Sequence, residues 1–175
     1  QCFISSNGQI TFDTVYNNAG CSHATTQTLP YVSNVFPDNA IFMPFVDLDT
    51  ISYGVLQYAT IGTAPFRKFI VKFSNAPIFD TCLFGTVSMQ CELNETYNTI
   101  DIFILSKPLC NNNVGIHTNY ATLGIQDIGG FNNCVVNGRN ASIWSASNEH
   151  WRFSPAGPAS THVNWYNEQN ILLFS

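Results

Sequence analysis

The sequence predicts an all-β, antiparallel chain supported by disulfides, and three observations carry that prediction. Apolar residues alternate with polar ones at period two between clusters of Asn, Gly and Pro, which is the pattern of half-buried strands. No window carries three turns of amphipathic helix. Six cysteines, Cys2, Cys21, Cys82, Cys91, Cys110 and Cys134, form an even set without CxxC or a Cys/His pair at zinc spacing. That set points to disulfides in an oxidising compartment.

The elements follow in chain order. Cys2 to Ile4 and Gln9 to Phe12 flank Ser6-Asn7-Gly8, where Asn-Gly supplies the positive φ of a tight hairpin turn. After a polar, turn-rich stretch, Ala40 to Val46 reads as an apolar strand whose Pro44 argues for an edge or a bulge. Strands over Gly54 to Ile61 and Lys68 to Phe73, separated by Gly62-Thr63-Ala64-Pro65, read as a meander. Val87 to Asn94 and Thr99 to Leu105 surround Glu95-Thr96-Tyr97-Asn98, so antiparallel partners sum to about 193 in residue number. Cys82 and Cys110 nearly satisfy that sum and are expected to pair. Ala121 to Gln126 is a further strand, and Trp151-Arg152-Phe153 closes the module with both aromatics on one face.

At 175 residues the chain suits one domain with a fragment of a second. The expected division is a module over 1–158, starting inside a strand, with a linker and the first strands of an Ig-like neighbour over 159–175. The first residue is Gln rather than Met, and the reading is a piece of a longer, multi-module exported chain. Charged residues make up only 10% and aromatics 14%, a balance unlike disorder and unlike a typical cytosolic enzyme. Net charge is −5 with six Lys+Arg, which excludes the basic stripe that nucleic-acid binding requires. The apolar run from Ile100 to Leu105 is too short to span a bilayer.

Five ordered segments carry a resemblance. They are Asn39 to Asp49, Gly62 to Phe69, Asn94 to Ile100, Thr122 to Gln126, and Gly138 to Pro155. Together they resemble a module of giant Bacteroidetes surface proteins, including gliding-motility adhesins exported by the type IX secretion system. A weaker resemblance runs to the extracellular NIDO domain of nidogen-type matrix proteins. The resemblance implies a β-sandwich of jelly-roll or Ig-like type that is secreted to the cell surface and has a non-catalytic role in adhesion or gliding. The implied partners are extracellular surfaces or polysaccharides, neighbouring modules, and the type IX machinery during export.

Candidate sites are few. Asp47 and Asp49 alternate on one face of a strand end, a start for Ca²⁺ coordination, although calcium takes six to eight oxygens. The competing reading is a hydrogen-bonded turn. No other cofactor is expected. Tyr31, Tyr97, Tyr120 and Trp144 fall in turn or loop regions and are the candidates for stacking a sugar, against a role in local packing. These two sets frame the alternative function, a calcium-dependent carbohydrate-binding domain. Thr14 and Thr50 lie in Asp-Thr-apolar triplets like those O-glycosylated in Bacteroidetes, while Asn94 and Asn140 open N-glycan sequons. His23, His117, His150 and His162 sit in no catalytic motif and read as loop histidines, so no enzymatic activity is expected.

Overall fold

A computed structural model of the chain describes residues 1–13, 25–32, 38–50, 53–79, 85–110 and 119–155, with strands at 165–166 and 172–174. Among the described residues there is no helix. The first sheet holds β1 (Phe3–Ile4), β2 (Gln9–Thr11), β3 (Ala40–Phe45) and β8 (Tyr120–Gln126) in that order, with β9 (Asn133–Val135) and β10 (Ser142–Ile143) also on β8. The second holds β4 (Val55–Ile61), β5 (Lys68–Pro77), β6 (Thr86–Asn94), β7 (Thr99–Lys107) and β11 (Ala146–Phe153), in the order β11-β7-β6-β5-β4. A separate pair joins β12 (Trp165–Tyr166) to β13 (Leu172–Phe174).

Every pairing is antiparallel, and one core unites the two sheets. Ile10, Ile41, Met43, Ala121 and Leu123 of the first sheet pack with Val71, Phe73, Met89, Cys91, Ile102 and Ile104 of the second. Period-two alternation selects these residues, because each strand turns every second side chain inward. The β6–β7 hairpin keeps the expected sum of 193, from Asn94↔Thr99 to Met89↔Ile104, then shifts by one residue at Ser88↔Ser106.

Pro44 lies in a strand flanked on both sides, by β2 and β8, so the edge alternative is set aside and the bulge alternative holds. The bulge between Phe42 and Phe45 turns both rings to the outer face of the first sheet, 5.8 Å apart. There they form a second cluster with Leu29 and Ala40. The first hairpin forms as expected: Gly8 N donates to Ser5 O to close the turn, and Gly8 supplies the positive φ, at 80°. That loop packs on the bulge: Met43 N donates to Gly8 O and Val46 N to Asn7 O. A Cβ on Gly8 would stand 2.3 Å from Pro44 O, so no other residue fits.

Side-chain amides stand in for missing strand partners. Asn140 accepts from Leu29 N at 2.8 Å and donates to Leu29 O at 2.7 Å. Gln126 does the same for Tyr31, at 2.8 and 3.2 Å. Segment 25–32 is thereby strapped across the outer aromatic cluster. Asn119 clamps Cys110 in the same way, at 2.7 and 3.0 Å. Asn119 and Asn140 thus serve the backbone rather than the solvent.

Of the cysteines other than the expected pair, Cys2, Cys91 and Cys134 are free. Cys91 is a fully buried member of the main core, and burial pushes its thiol far above the usual range. Cys110 is disulfide-bonded. Cys21 and Cys82 lie outside the described residues.

Replacing Asn140 with Ala strands both backbone groups of Leu29. We expect a loss of roughly 1–3 kcal/mol, read as a lower urea midpoint with an unchanged slope.

Candidate functional site

At one end of the sandwich an open cleft of about 760 Å³ enters between the sheets. Thr60, Phe69, Leu93 and Ile100, one cross-strand row of the second sheet, form one wall. Cys2, Phe12 and Ile41 form the other. A smaller recess of about 360 Å³ shares Phe12, Ile41 and Ile100 and runs on to Ile125 and Cys134. Both thiols there are free, and burial raises the pKa of Cys2.

The rim is polar and built on the β6–β7 turn. Asn94, Glu95, Asn98 and Thr99 border the opening, and Arg67 faces them. The Arg67 backbone N and Nε both donate to Glu95 Oε2, at 3.0 and 2.9 Å, and its second guanidinium nitrogen donates to Glu95 Oε1. Thr96 Oγ1 donates to Pro65 O, so the turn is tied to the β4–β5 loop. Hydrogen bonds from Arg67 hold the Glu95 carboxyl below its ordinary value. Apolar walls under a rim of amides, hydroxyls and one ion pair suit a ligand with an apolar body and polar edges.

On the outer face of the second sheet, register gathers a charge cluster. Glu92, Asp101 and Arg152 are directly opposed across β6, β7 and β11, and the next row sets Gln90, Phe103 and His150 together. Asp101 is 2% exposed. Its carboxylate accepts from Arg152 at 2.7 and 3.1 Å and from Asn94 Nδ2 at 2.8 Å, with His150 Nε2 at 2.7 Å. The His150 ring stacks on Phe103 at 4.4 Å. Burial pushes the Asp101 carboxyl up, and the hydrogen bonds from Arg152 and His150 outweigh it, leaving the pKa below its ordinary value. Lys68 Nζ lies 2.8 Å from Glu92, which neutralises the neighbouring acid.

The residues singled out from sequence do not converge. Asp47 and Asp49 flank Leu48, which bridges Ile78, while Asp47 O accepts from Phe79 N and Asp49 N donates to Pro77 O. They thus belong to a short pairing of backbones. Among the described residues, no three His, Cys, Asp or Glu side chains gather in a group able to hold a metal. Tyr31 packs against the outer aromatic cluster, and Tyr120 is half-buried at the start of β8.

Trp144 is a correction to the idea of an exposed platform. It is buried, its Nε1 donates to Ala121 O, and its ring lies between Lys107 and Arg139. Burial lowers the Lys107 pKa to about 8, and its ammonium donates to Trp144 O at 2.6 Å. Tyr97 alone of the four is fully presented, 70% exposed on the turn that rims the cleft.

His150 is likewise no loop residue but a strand residue within the Asp101 cluster. His23, His117, His162 and Thr14 lie outside the described residues, and Thr50 is half-buried. The sequon amides of Asn94 and Asn140 are both engaged in hydrogen bonds. Asp101, Phe103 and Arg152 were missed. The predicted register already opposed Glu92 to Asp101, two like charges that require a cation nearby.

A family model described as NIDO related matches residues 1–166. Neither a curated protein nor a solved structure matches the chain.

Because the folded Asp101 pKa is depressed, its stabilisation is present above the unfolded value and lost as pH falls through the folded one. The Asp101→Asn variant should therefore be less stable at pH 7 by roughly 1–3 kcal/mol. The gap should shrink as pH falls below about 4, the ordinary range of an Asp carboxyl, as denaturant titrations at each pH would show.

Proposed function

The chain belongs to the NIDO-related family, and from that premise we propose that it is a non-catalytic extracellular module that serves structure and adhesion. The observation that carries this reading is the saturation of the Asp101 carboxylate. This convergence of titratable groups among the described residues holds its acid ionised and fully paired, the opposite of a group poised for proton transfer. What remains open is the cleft and its rim, a surface suited to binding.

The finer reading is a module of a giant Bacteroidetes adhesin exported by type IX secretion. Its support is the ordered set of five segments from Asn39 to Pro155. In such a protein the module holds its neighbours in line and contacts polysaccharide or other surfaces. We also infer that the disulfide partner of Cys110, which is disulfide-bonded, is Cys82, because the sum of about 193 expected from the hairpin sequence nearly admits that pair. Peptide mapping of unreduced protein should recover that pair. Recovery of Cys21 joined to Cys110 would overturn it.

A second reading, carbohydrate binding, draws on one observation. Tyr97 stands exposed beside Asn98 and Thr99 on the cleft rim, an aromatic face next to hydrogen-bonding groups. Beads coated with the protein should be retained on polysaccharide-coated or matrix-coated surfaces under flow. Tyr97→Ala should reduce retention several-fold without changing the unfolding midpoint, and failure to adhere to any surface would sink the adhesive reading. Glycan-array binding that EDTA or Asp47→Ala abolishes in folded protein would favour the calcium-dependent carbohydrate reading.

A further inference from the structure

The edges of the two sheets are not built alike. β11, at one edge of the second sheet, carries Glu149, His150 and Arg152, and its Asn148 sits at a φ of 53°, a left-handed distortion. In the first sheet β1 and β10 span two residues each and β9 spans three. Short, charged or distorted edges resist pairing with a foreign strand.

β4 has none of these guards. Its seven residues, Val55–Ile61, include no charge and no proline, and all are exposed. Val55, Tyr58 and Ile61 are 50%, 70% and 51% exposed. Among the described residues it pairs with β5 alone.

We propose that β4 pairs antiparallel with β4 of a second copy of this chain, about a two-fold axis at Tyr58. Reversal of the strand sets Val55 opposite Ile61, Leu56 opposite Thr60 and Gln57 opposite Ala59, while Tyr58 meets its own copy. Cross-strand pairs of β-branched and aromatic residues are favourable. Tyr58 already leans on Phe69, with ring centroids 6.3 Å apart, so the axis lines up four aromatic rings in one row.

Charge favours a like partner over an acidic or basic one. β4 is neutral, and beside it Arg67 and Lys68 are matched by Glu95 and Glu92. Lys72, the remaining cation of β5, would stand at least three strand spacings from its mate, about 14 Å. That exceeds the screening length of about 8 Å in physiological salt. The copies therefore meet without like-charge repulsion at the seam, despite a net charge of −5 each. An isologous pairing of this kind closes on itself and stops at the dimer.

Sedimentation equilibrium of the whole chain should show a dimer that Tyr58→Lys and Thr60→Lys convert to monomer with an unchanged thermal midpoint for the monomeric fold. Register is read separately by mild oxidation of variants that add one cysteine to a Cys2→Ser, Cys134→Ser background, in which Cys91 stays buried. Tyr58→Cys should cross-link to its own copy in high yield, and Ile61→Cys, which faces Val55, should not. A monomer at every concentration up to the solubility limit overturns the proposal. So does a dimer that survives Tyr58→Lys, or equal cross-linking at both positions.

Discussion

Strand β3 has no polar side, and burying it governs the rest of the fold. Its six residues, Ala40–Phe45, are all apolar and all buried, so the first sheet must be covered on both faces. The second sheet covers one face through Ile41 and Met43, and the segment at 25–32 covers the other through Leu29. A segment that lies across a sheet has no ladder to join, and buried backbone groups left unpaired cost free energy. The Asn140 and Gln126 amides supply the missing partners.

The second sheet carries the opposite burden. One face is core, and the other is open to solvent, with β4 exposed throughout. A solvated face can hold charge, and register places Glu92, Asp101 and Arg152 in one row there. Two opposed carboxylates would repel. Arg152 and Lys68, on the flanking strands, each pair with one of the two acids and neutralise them from opposite sides. The same hairpin that sets this row also builds the cleft rim, so the turn from Glu95 to Asn98 links the charged face to the apolar opening.

Much of this was legible in advance where the pattern is local. The β6–β7 register, the meander of β4 and β5, and the bulge alternative at Pro44 follow from alternation and turn chemistry alone. The extension of β5 to Pro77, and the short strands β9 and β10, were not. Their residues pair because β6 and β8 lie beside them in the fold, and no alternation within the short segments themselves announces it. The site was less legible still. Of four proposed aromatic contacts only Tyr97 is fully exposed, because an exposed loop aromatic and a buried one have the same sequence context.

The sequence by itself determined the all-β character, the antiparallel hairpins and the inward-facing residues, since these depend on a period of two and on neighbours a few positions apart. Tertiary structure decided the rest. It decided that Cys91 is a free core residue, that Trp144 is held between two cations, and that Asp101 is the centre of an ion-pair cluster. In each case the deciding contact comes from a strand or loop distant in the chain, and only strand order brings it near.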